Sequence, residues 1–254
     1  MGLFDPRTDH TGLPPIGTWL KMPAPESAEI AASAGFDFVV IDLEHTMLSL
    51  ETAYTLITVA SAHGVVPLVR VPDHRPSTIQ RVLDGGAGGV LVPHVDTPEQ
   101  AEAVARATRF PPRGTRGSGG TSRAGRWGRL PRADYVEFGN TEALCLPQLE
   151  SAAAMRDADR ILDTDGVDGV LLGAADLALE LGCSPTDPRL TTMVDEALAA
   201  ADEAGKPCGF ALGADAARAR ELAARGFGFL VIGNDSSMLA AAASAVVANT
   251  RQAS

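Results

Sequence analysis

Cysteine is scarce in this sequence, and signals for export or membrane insertion are missing. The three cysteines are an odd number without C-x-x-C spacing, so neither a disulfide framework nor a zinc cluster is indicated. The amino-terminal segment MGLFDPRTDHTGLPP lacks an apolar signal-peptide core. No window approaches the roughly 18 uninterrupted apolar residues of a membrane-spanning helix. We therefore expect a cytoplasmic protein with no membrane association.

Basic residues are also few, and lysine is almost absent. The chain has 21 Lys and Arg against 32 Asp and Glu, a formal net charge of −11. Such a field repels polyanions, so nucleic acid is not an expected partner. Lys21 and Lys206 are the only lysines. Lys206 enters a predicted strand from the wrong end for Schiff-base catalysis, and Lys21 follows one, so a Schiff base is disfavoured but open at Lys21.

The remaining composition is that of a globular protein, with 45% hydrophobic and 21% charged residues. Short apolar runs alternate with Ala-rich stretches of helical periodicity, and caps such as Ser49, Thr97 and Ser151 open the helices. The predicted strands are 16–20, 38–42, 66–70, 89–92, 143–149, 169–172, 208–211 and 229–232. These eight β-then-α units predict a (β/α)8 TIM barrel, an α/β fold, as a single domain over residues 1–254. A six-stranded doubly wound sheet is the alternative.

One long irregular stretch, residues 110–140, carries six arginines among many glycines. It contains no strand-to-helix junction and no G-K-[ST] sequence, so it is a poor phosphate loop. Long loops in compact domains are usually functional. We predict a flexible, arginine-bearing lid or a subunit contact.

Polar residues cluster where the predicted strands end, and in a barrel this edge carries the chemistry. They are Asp42, Glu44, His45, Arg70, His94, Gln148, Glu150, Asp176, Asn234 and Asp235. Charged groups at such positions are costly to bury unless they are paired or bind a ligand. The coincidence across six strands predicts one site at the mouth of the barrel.

Glu150 and Asp176 stand at neighbouring strand ends with no Cys or His cluster beside them. Two carboxylate ligands favour a hard divalent ion, Mg²⁺ or Mn²⁺, with Co²⁺ as a further candidate. The alternative is that each acid caps the helix that follows it.

Three further residues are candidates for the chemistry. A histidine can carry protons near neutral pH, so His45 is a candidate catalyst, although a lone loop histidine is more often a surface residue. Arg70 offers a planar donor fork for a carboxylate or a developing enolate oxygen, with an ion pair to Asp42 or Glu44 as the structural alternative. His94 is a candidate contact either to the substrate or to the residues that hold it.

Several motifs resemble the class II, metal-dependent pyruvate aldolases of the 4-hydroxy-2-oxoheptanedioate and 2-dehydro-3-deoxyglucarate aldolase type, in the citrate lyase β-like superfamily. They run in order from about residue 16 to 240 and include Ile41-Asp42-Leu43-Glu44-His45, R-x-P-P-x-G-x-R-G at 109–117, and Gln148-Leu149-Glu150. The resemblance implies a lyase that reversibly cleaves 4-hydroxy-2-oxo acids to pyruvate and an aldehyde, through a metal-bound pyruvate enolate.

The resemblance also implies a role for individual residues. Glu150 and Asp176 match the two metal ligands of the family. Arg70 matches the arginine at the pyruvate carbonyl oxygen, His45 matches the catalytic histidine, and Asp84 matches the aspartate that pairs with this histidine. Gln148 matches a glutamine near the bound oxo acid, and the backbone amides of Ala175 and Asp176 match the site that binds its carboxylate. The family commonly forms a homohexamer, a trimer of dimers, with the last helix (here 236–249) exchanged between subunits. One departure is Ala174, which replaces the proline usual in G-P-x-D-L and relaxes that loop.

Three other functions remain open. A CoA-ester lyase of the citrate lyase β type would use the arginines of 113–132 at a nucleotide entrance. Oxaloacetate decarboxylation would follow from the same enolate. A catalytically weak oxo-acid-binding protein would bind metal without exchanging the methyl protons of pyruvate.

Overall fold

The computed structural model describes residues 3–4 and 12–252. Most of the amino-terminal segment considered for export lies outside these residues. Eight parallel strands close into a barrel in chain order. They are β1 (Ile16–Leu20), β2 (Phe38–Asp42), β3 (Val66–Arg70), β4 (Gly89–Val92), β5 (Leu144–Leu149), β6 (Val170–Leu172), β7 (Cys208–Leu212) and β8 (Phe229–Asn234). The (β/α)8 prediction is confirmed, and the doubly wound alternative is wrong because β8 pairs with β1.

Helices surround the barrel. They are α1 (Pro25–Ala34), α2 (Leu50–Ala62), α3 (Pro76–Asp84), α4 (Pro98–Thr108), α5 (Arg132–Thr141), α6 (Ala152–Arg156), α7 (Ala158–Asp163), α8 (Ala174–Glu180), α9 (Pro188–Glu203), α10 (Ala216–Ala224) and α11 (Asp235–Gln252). The predicted caps Ser49, Thr97 and Ser151 all accept a backbone N–H, and Thr97 forms a full capping box with Gln100. Among the described helices, none combines the length and apolar character needed to cross a bilayer.

The barrel interior determines which side chains reach the mouth. Its hydrophobic filling includes Trp19, Phe38, Val40, Leu68, Leu91, Leu146, Leu171, Phe229 and Val231. Successive strand residues point to opposite faces, so the residue two positions on returns to the interior. Asp42 therefore continues the inward series of β2, Arg70 that of β3, and Gln148 and Glu150 that of β5. Hydrophobic packing below thus sets the direction of the polar side chains above.

The segment 110–140 is not a flexible lid over the site. It joins α4 to β5, so it lies at the amino end of the barrel, opposite the mouth. It is anchored by Arg116, which is buried, stacks on Phe110 at 4.4 Å and donates to Asp84 Oδ1 at 2.8 Å. The prediction of a lid was wrong because glycine and arginine content was given more weight than the place of the segment between a helix and the next strand.

Candidate active site

Asp42 and Arg70 form the buried floor of the mouth. They are register partners at the ends of β2 and β3. Arg70 Nε donates to Asp42 Oδ1 at 2.9 Å, Nη2 donates to Oδ2 at 2.7 Å, and the guanidinium stacks on the Trp19 ring at 4.2 Å. Lys21 Nζ adds an ion pair to Asp42 Oδ2 at 2.9 Å. A bidentate pair on an aromatic platform holds the arginine in one orientation. The ion pair considered for Arg70 is therefore present.

Asp42 also shapes the loop that follows β2. Burial acts to raise its pKa, but hydrogen bonds and charge from Arg70 and Lys21 outweigh burial and lower the pKa to about 2. The carboxylate accepts the backbone N–H groups of Glu44 at 3.1 Å and His45 at 3.3 Å. Asp42 therefore positions Arg70 and, through the turn, the two side chains that project from this loop.

A cluster of possible metal ligands spans the ends of β2, β4 and β5. Arg70 Nη1 lies 3.0 Å from Glu44 Oε2. His94 Nε2 lies 3.2 Å from Glu44 Oε1, and its Nδ1 lies 2.9 Å from Glu150 Oε1. One ligand atom from each of Glu44, His94 and Glu150 lies within 4.8 Å of the other two. Carboxylate oxygen and imidazole nitrogen are both established ligand types for divalent ions.

Glu150 is buried and faces this cluster. Its Oε1 accepts the backbone N–H of His94 at 2.8 Å, and its Oε2 accepts Gln148 Nε2. Burial raises the pKa of Glu150 and the neighbouring Glu44 carboxylate adds to the rise, against the lowering effect of His94 and Gln148. Ser151 performs the helix-capping role considered for Glu150, since its Oγ accepts from the first turn of α6.

The residues present fit a divalent cation. Gln148 Oε1 is buried and accepts no hydrogen bond from the described residues, and buried Glu44 Oε2 has the ion pair with Arg70 but no well-aligned hydrogen bond among them. Among the residues that the structure describes, the connected groups at the mouth include three carboxylates but only two permanently cationic side chains. A cation would supply the missing charge and the missing partners.

Asp176 lies on a turn beside Glu150 but outside the cluster. It occupies the first turn of α8, and its side chain is exposed. The turn passes close to Glu150, because a Cβ atom placed at Gly173 would lie 2.6 Å from Glu150 Cβ. Ala175 shares this first turn, where backbone N–H groups have no acceptor within the helix. Asp176 is not a member of the Glu44, His94 and Glu150 cluster, and its role as a ligand beside Glu150 stays a prediction.

His45 and Asp84 lie at opposite ends of the barrel. His45 is exposed at the mouth, with Nε2 3.6 Å from Glu44 Oε2. Asp84 ends α3, which returns to the amino end, and its Oδ1 accepts from Arg116 at 2.8 Å and from Tyr135 Oη at 3.0 Å. Within one chain the expected His45–Asp84 pair is therefore not formed.

Sequence reasoning missed the contribution of Trp19, which supports Arg70 and which the inward alternation of β1 could have indicated. His94, expected to contact either the substrate or the residues that hold it, bridges Glu44 and Glu150. No periodicity indicates that bridge, because it depends on the distance between two loops.

Comparisons with known proteins agree with this fold. Residues 15–242 match the family model described as HpcH/HpaI aldolase/citrate lyase. A 4-hydroxy-2-oxo-heptane-1,7-dioate aldolase of Shigella sonnei is 38% identical over 240 residues, covering 93% of this chain and 90% of that relative. A hydroxypyruvate/pyruvate aldolase of Deinococcus radiodurans is 40% identical over 246 residues, covering 96% and 88%.

A solved structure extends the agreement to three dimensions. The crystal structure of an HpcH/HpaI aldolase from Desulfitobacterium hafniense superposes with a TM-score of 0.91 at 31% identity, covering 96% of this chain and 95% of that one. The resemblance seen in the motifs is thus confirmed, and with it the assignment as an aldolase, which is a carbon–carbon lyase. The chain belongs to the HpcH/HpaI aldolase/citrate lyase family.

Proposed function

We propose that this chain is a divalent-metal-dependent aldolase that reversibly cleaves 4-hydroxy-2-oxo acids into pyruvate and an aldehyde. The observation that carries the proposal is a rigid arginine, Arg70, set beside two carboxylates, Glu44 and Glu150, that lack a full complement of positive charge. Relatives named as aldolases of oxo acids support the same chemistry.

Glu150 and Asp176 would hold the ion, which we expect to be Mg²⁺, Mn²⁺ or Co²⁺. When bound, a divalent cation supplies a Lewis acid that polarises the 2-oxo group and makes the pyruvate methyl protons acidic. Glu150 is already oriented for this task by Gln148 and by the backbone N–H of His94. The amide side chain of Gln148 would also meet the oxo acid, and the first-turn amides at Ala175 and Asp176 would bind its carboxylate.

Arg70 and His45 would divide the remaining chemistry. Two of the five N–H groups of Arg70 donate to Asp42, so others remain for the oxygen that becomes negative when the C3–C4 bond breaks. His45, exposed at the mouth, would move the proton between solvent, the enolate carbon and the hydroxyl group of the aldol, directly or through water.

Proton exchange provides the test. ¹H NMR of pyruvate in D₂O should show loss of the methyl signal with the metal-loaded protein, and a chelator should stop the loss. Exchange that survives complete metal removal would contradict the metal assignment. Metal binding without any exchange would favour a binding protein, and exchange without cleavage of any 4-hydroxy-2-oxo acid would limit the activity to oxaloacetate decarboxylation or a related reaction.

The structure weakens the CoA-ester alternative. The arginines of 113–132 that would hold a nucleotide lie at the amino end, so they cannot line the entrance to the mouth of the same chain. Free 2-oxo acids should therefore be turned over while CoA thioesters are not. Faster turnover of a CoA thioester would reverse this choice.

We also propose a cytoplasmic homo-oligomer, a hexamer built as a trimer of dimers, in which α11 is exchanged between subunits. Apolar side chains of α11 are uncovered, with Leu239 59%, Val246 67% and Val247 47% exposed. An apolar cavity of about 330 Å³ lies on the outer face of β1 and β8, lined in part by Ile16 and Ile232, where the last helix of a barrel would normally pack. Sedimentation should show a hexamer, and Val246→Glu with Val247→Glu should reduce its size.

An assembly would also allow Asp84 of one subunit to pair with His45 of another. Because Asp84 cannot reach His45 in its own chain, any such pair requires a second copy. Co-expressed His45→Ala and Asp84→Asn chains should then regain part of the activity that each variant lacks alone. Mixtures that stay inactive would remove Asp84 from the reaction.

A further inference from the structure

Asp84, the last residue of α3, has one carboxylate oxygen engaged and the other open. Arg116 Nη2 donates to Oδ1 at 2.8 Å, and Tyr135 Oη donates to the same oxygen at 3.0 Å. Oδ2 accepts no hydrogen bond from the part of the chain that the structure describes. The side chain is 18% exposed, so a group outside the chain can reach this carboxylate.

The ion pair at the mouth of the barrel is built differently. Arg70 donates to both oxygens of Asp42, through Nε and Nη2, and this bidentate geometry satisfies a carboxylate well. At Asp84 two buried donors converge on one oxygen instead. A carboxylate oxygen accepts about two hydrogen bonds, so Oδ1 is saturated and Oδ2 keeps its accepting capacity. The arrangement fixes the carboxylate and leaves it able to bind a further donor.

Packing holds the two donors in place. The Arg116 side chain is only 2% exposed, and its guanidinium stacks on the Phe110 ring at 4.4 Å. Gly139 allows α5 to approach that ring, since a Cβ atom there would lie 2.3 Å from a ring carbon of Phe110. Tyr135 stands one turn earlier on the same face of α5, which brings its hydroxyl to Asp84. The donors are therefore rigid, and precise orientation of a functional side chain needs a rigid support.

Gly119 keeps the space beside Oδ2 clear. A Cβ atom at this position would lie 2.9 Å from Oδ2, too close for the carboxylate to stay where it is. The segment cannot simply move away, because the Ala124 N–H donates to the carbonyl of Asp84 at 3.1 Å. A Cβ atom at the adjacent Gly120 would meet no described atom within 4 Å. The need for glycine therefore falls at 119, the position that faces the open oxygen.

We propose that Arg116 and Tyr135 are positioning residues that hold Oδ1 of Asp84 in place. Oδ2 then projects beside Gly119 and accepts a ring N–H from His45 of the partner subunit. This inference rests on the assembly and on the pairing of Asp84 with His45 in the proposed function. An imidazole with one ring nitrogen fixed by a carboxylate keeps one tautomer and one orientation, which favours proton transfer at the other nitrogen. Arg116 influences the reaction only through Asp84.

Mixed assemblies of full-length chains test this role. In the metal-loaded protein, Arg116→Met should slow pyruvate methyl exchange at saturating pyruvate by about 10- to 100-fold, the effect of one charge-assisted hydrogen bond, and should leave KM unchanged. Co-expressed with His45→Ala, it should regain activity, because a mixed site can join an intact histidine to a correctly held Asp84. Co-expressed with Asp84→Asn, it should not, because both changes disable the same contributed carboxylate. A purely structural loss would be recovered in both mixtures or in neither, and either result would overturn the proposal.

Two glycine variants test which oxygen is presented. Gly119→Ala should slow exchange by about tenfold or more, because its methyl group displaces Oδ2, whereas Gly120→Ala, a matched change one residue along, should exchange at the wild-type rate. Wild-type exchange in Gly119→Ala would overturn the role of Oδ2. Tyr135→Phe removes one hydroxyl and should slow exchange by about tenfold or less, the effect of one neutral hydrogen bond. Thermal unfolding of each variant controls for folding, and Tyr135→Phe replaces Arg116→Met in the mixtures should the latter not assemble.

This inference and the proposed function fail in different ways. If His45→Ala and Asp84→Asn do not complement each other, Asp84 has no part in the reaction and the inference falls, while metal-dependent exchange by the wild type still supports the aldolase. If these two variants complement each other but Arg116→Met complements neither, only the positioning role is wrong. If exchange survives complete metal removal, the metal assignment fails whatever the mixtures show.

Discussion

Both ends of the barrel contain a buried arginine, but the charges around the two differ. At the amino end, Arg109 donates to Asp168 Oδ2 at 2.5 Å and to the carbonyl of Gly166 at 3.1 Å. At the mouth, Arg70 meets Asp42 and Glu44, and a third carboxylate lies beyond them. One arginine thus ties backbone segments together, and the other belongs to a group with a surplus of negative charge. Burial of a charge indicates structure at one end and chemistry at the other, and the local charge balance distinguishes them.

The largest expected effect is at the mouth. Glu150→Gln should reduce metal-dependent pyruvate exchange by on the order of 10³-fold or more, about 4 kcal/mol of transition-state stabilisation, because it removes the anionic ligand that we propose for the ion. Without metal, the variant should be at least as stable as the wild type, since a carboxylate with a burial-raised pKa has been neutralised. NMR exchange rates and thermal unfolding measure the two effects, with exposed Glu142→Gln as the control. If Glu150→Gln lost as much free energy of unfolding as transition-state stabilisation, the contrast between a chemical role at the mouth and a structural role at the amino end would be contradicted.

The opposite result is expected at the amino end. Arg109→Met should lower the free energy of unfolding by about 3 kcal/mol, because it removes the cationic partner of Asp168 and the side-chain donor of two backbone carbonyls. Metal affinity per folded molecule should not change. Urea unfolding together with Mn²⁺ titration checks both quantities. An unchanged free energy of unfolding in this variant would show that Arg109 does not stabilise the fold.

A smaller effect concerns the stability that Asp42, the partner of Arg70, contributes at different pH values. The folded pKa of Asp42, about 2, lies below its ordinary 3.8, so the unfolded chain binds this proton more readily. The stability from Asp42 is therefore complete above about pH 4 and is lost as pH falls through 2, a change of roughly 2 kcal/mol. Urea midpoints between pH 2 and pH 5 should show this decline, and Asp42→Asn should flatten it. An unchanged slope in the variant would assign the decline to other groups.

The smallest effect tests whether the amino end is closed to solvent. Burial raises the pKa of Cys145, at the start of β5, to about 12, and Cys208 is buried at the start of β7. A thiol reagent at pH 8 should therefore label only Cys183 in the native protein and all three cysteines in denaturant. Native labelling of Cys145 would show that this end opens.

The local pattern of hydrophobic and polar residues was sufficient to predict much of the barrel and part of the site. Four strands have the predicted bounds, because their apolar runs end where the polar residues of the mouth begin. β8 extends two residues further than predicted, to Asn234, because its last residues pair with β1 across the closure of the barrel. That pairing joins the two ends of the chain and has no local signal.

The error over the arginine-rich segment has the same origin. This segment was interpreted as a lid from its composition, although it stands just before a strand and so belongs to the amino end. Asp84, matched to the partner of His45 through the resemblance, lies at that end too, and its role stays a prediction. The bridge made by His94 depends on how closely two loops approach. A single sequence does not encode such distances in its periodicity, whereas the inward direction of Arg70 and Glu150 follows from alternation alone.

The inward alternation described for β2, β3 and β5 also makes the site a mechanical extension of the core. Asp42 stands two residues above Val40 and four above Phe38, whose ring fills the space left by Gly17. We expect a change of volume at Phe38 to shift the end of its strand and with it the carboxylate that aligns Arg70. Hydrophobic side chains that never touch a substrate would in this way influence the geometry of the site.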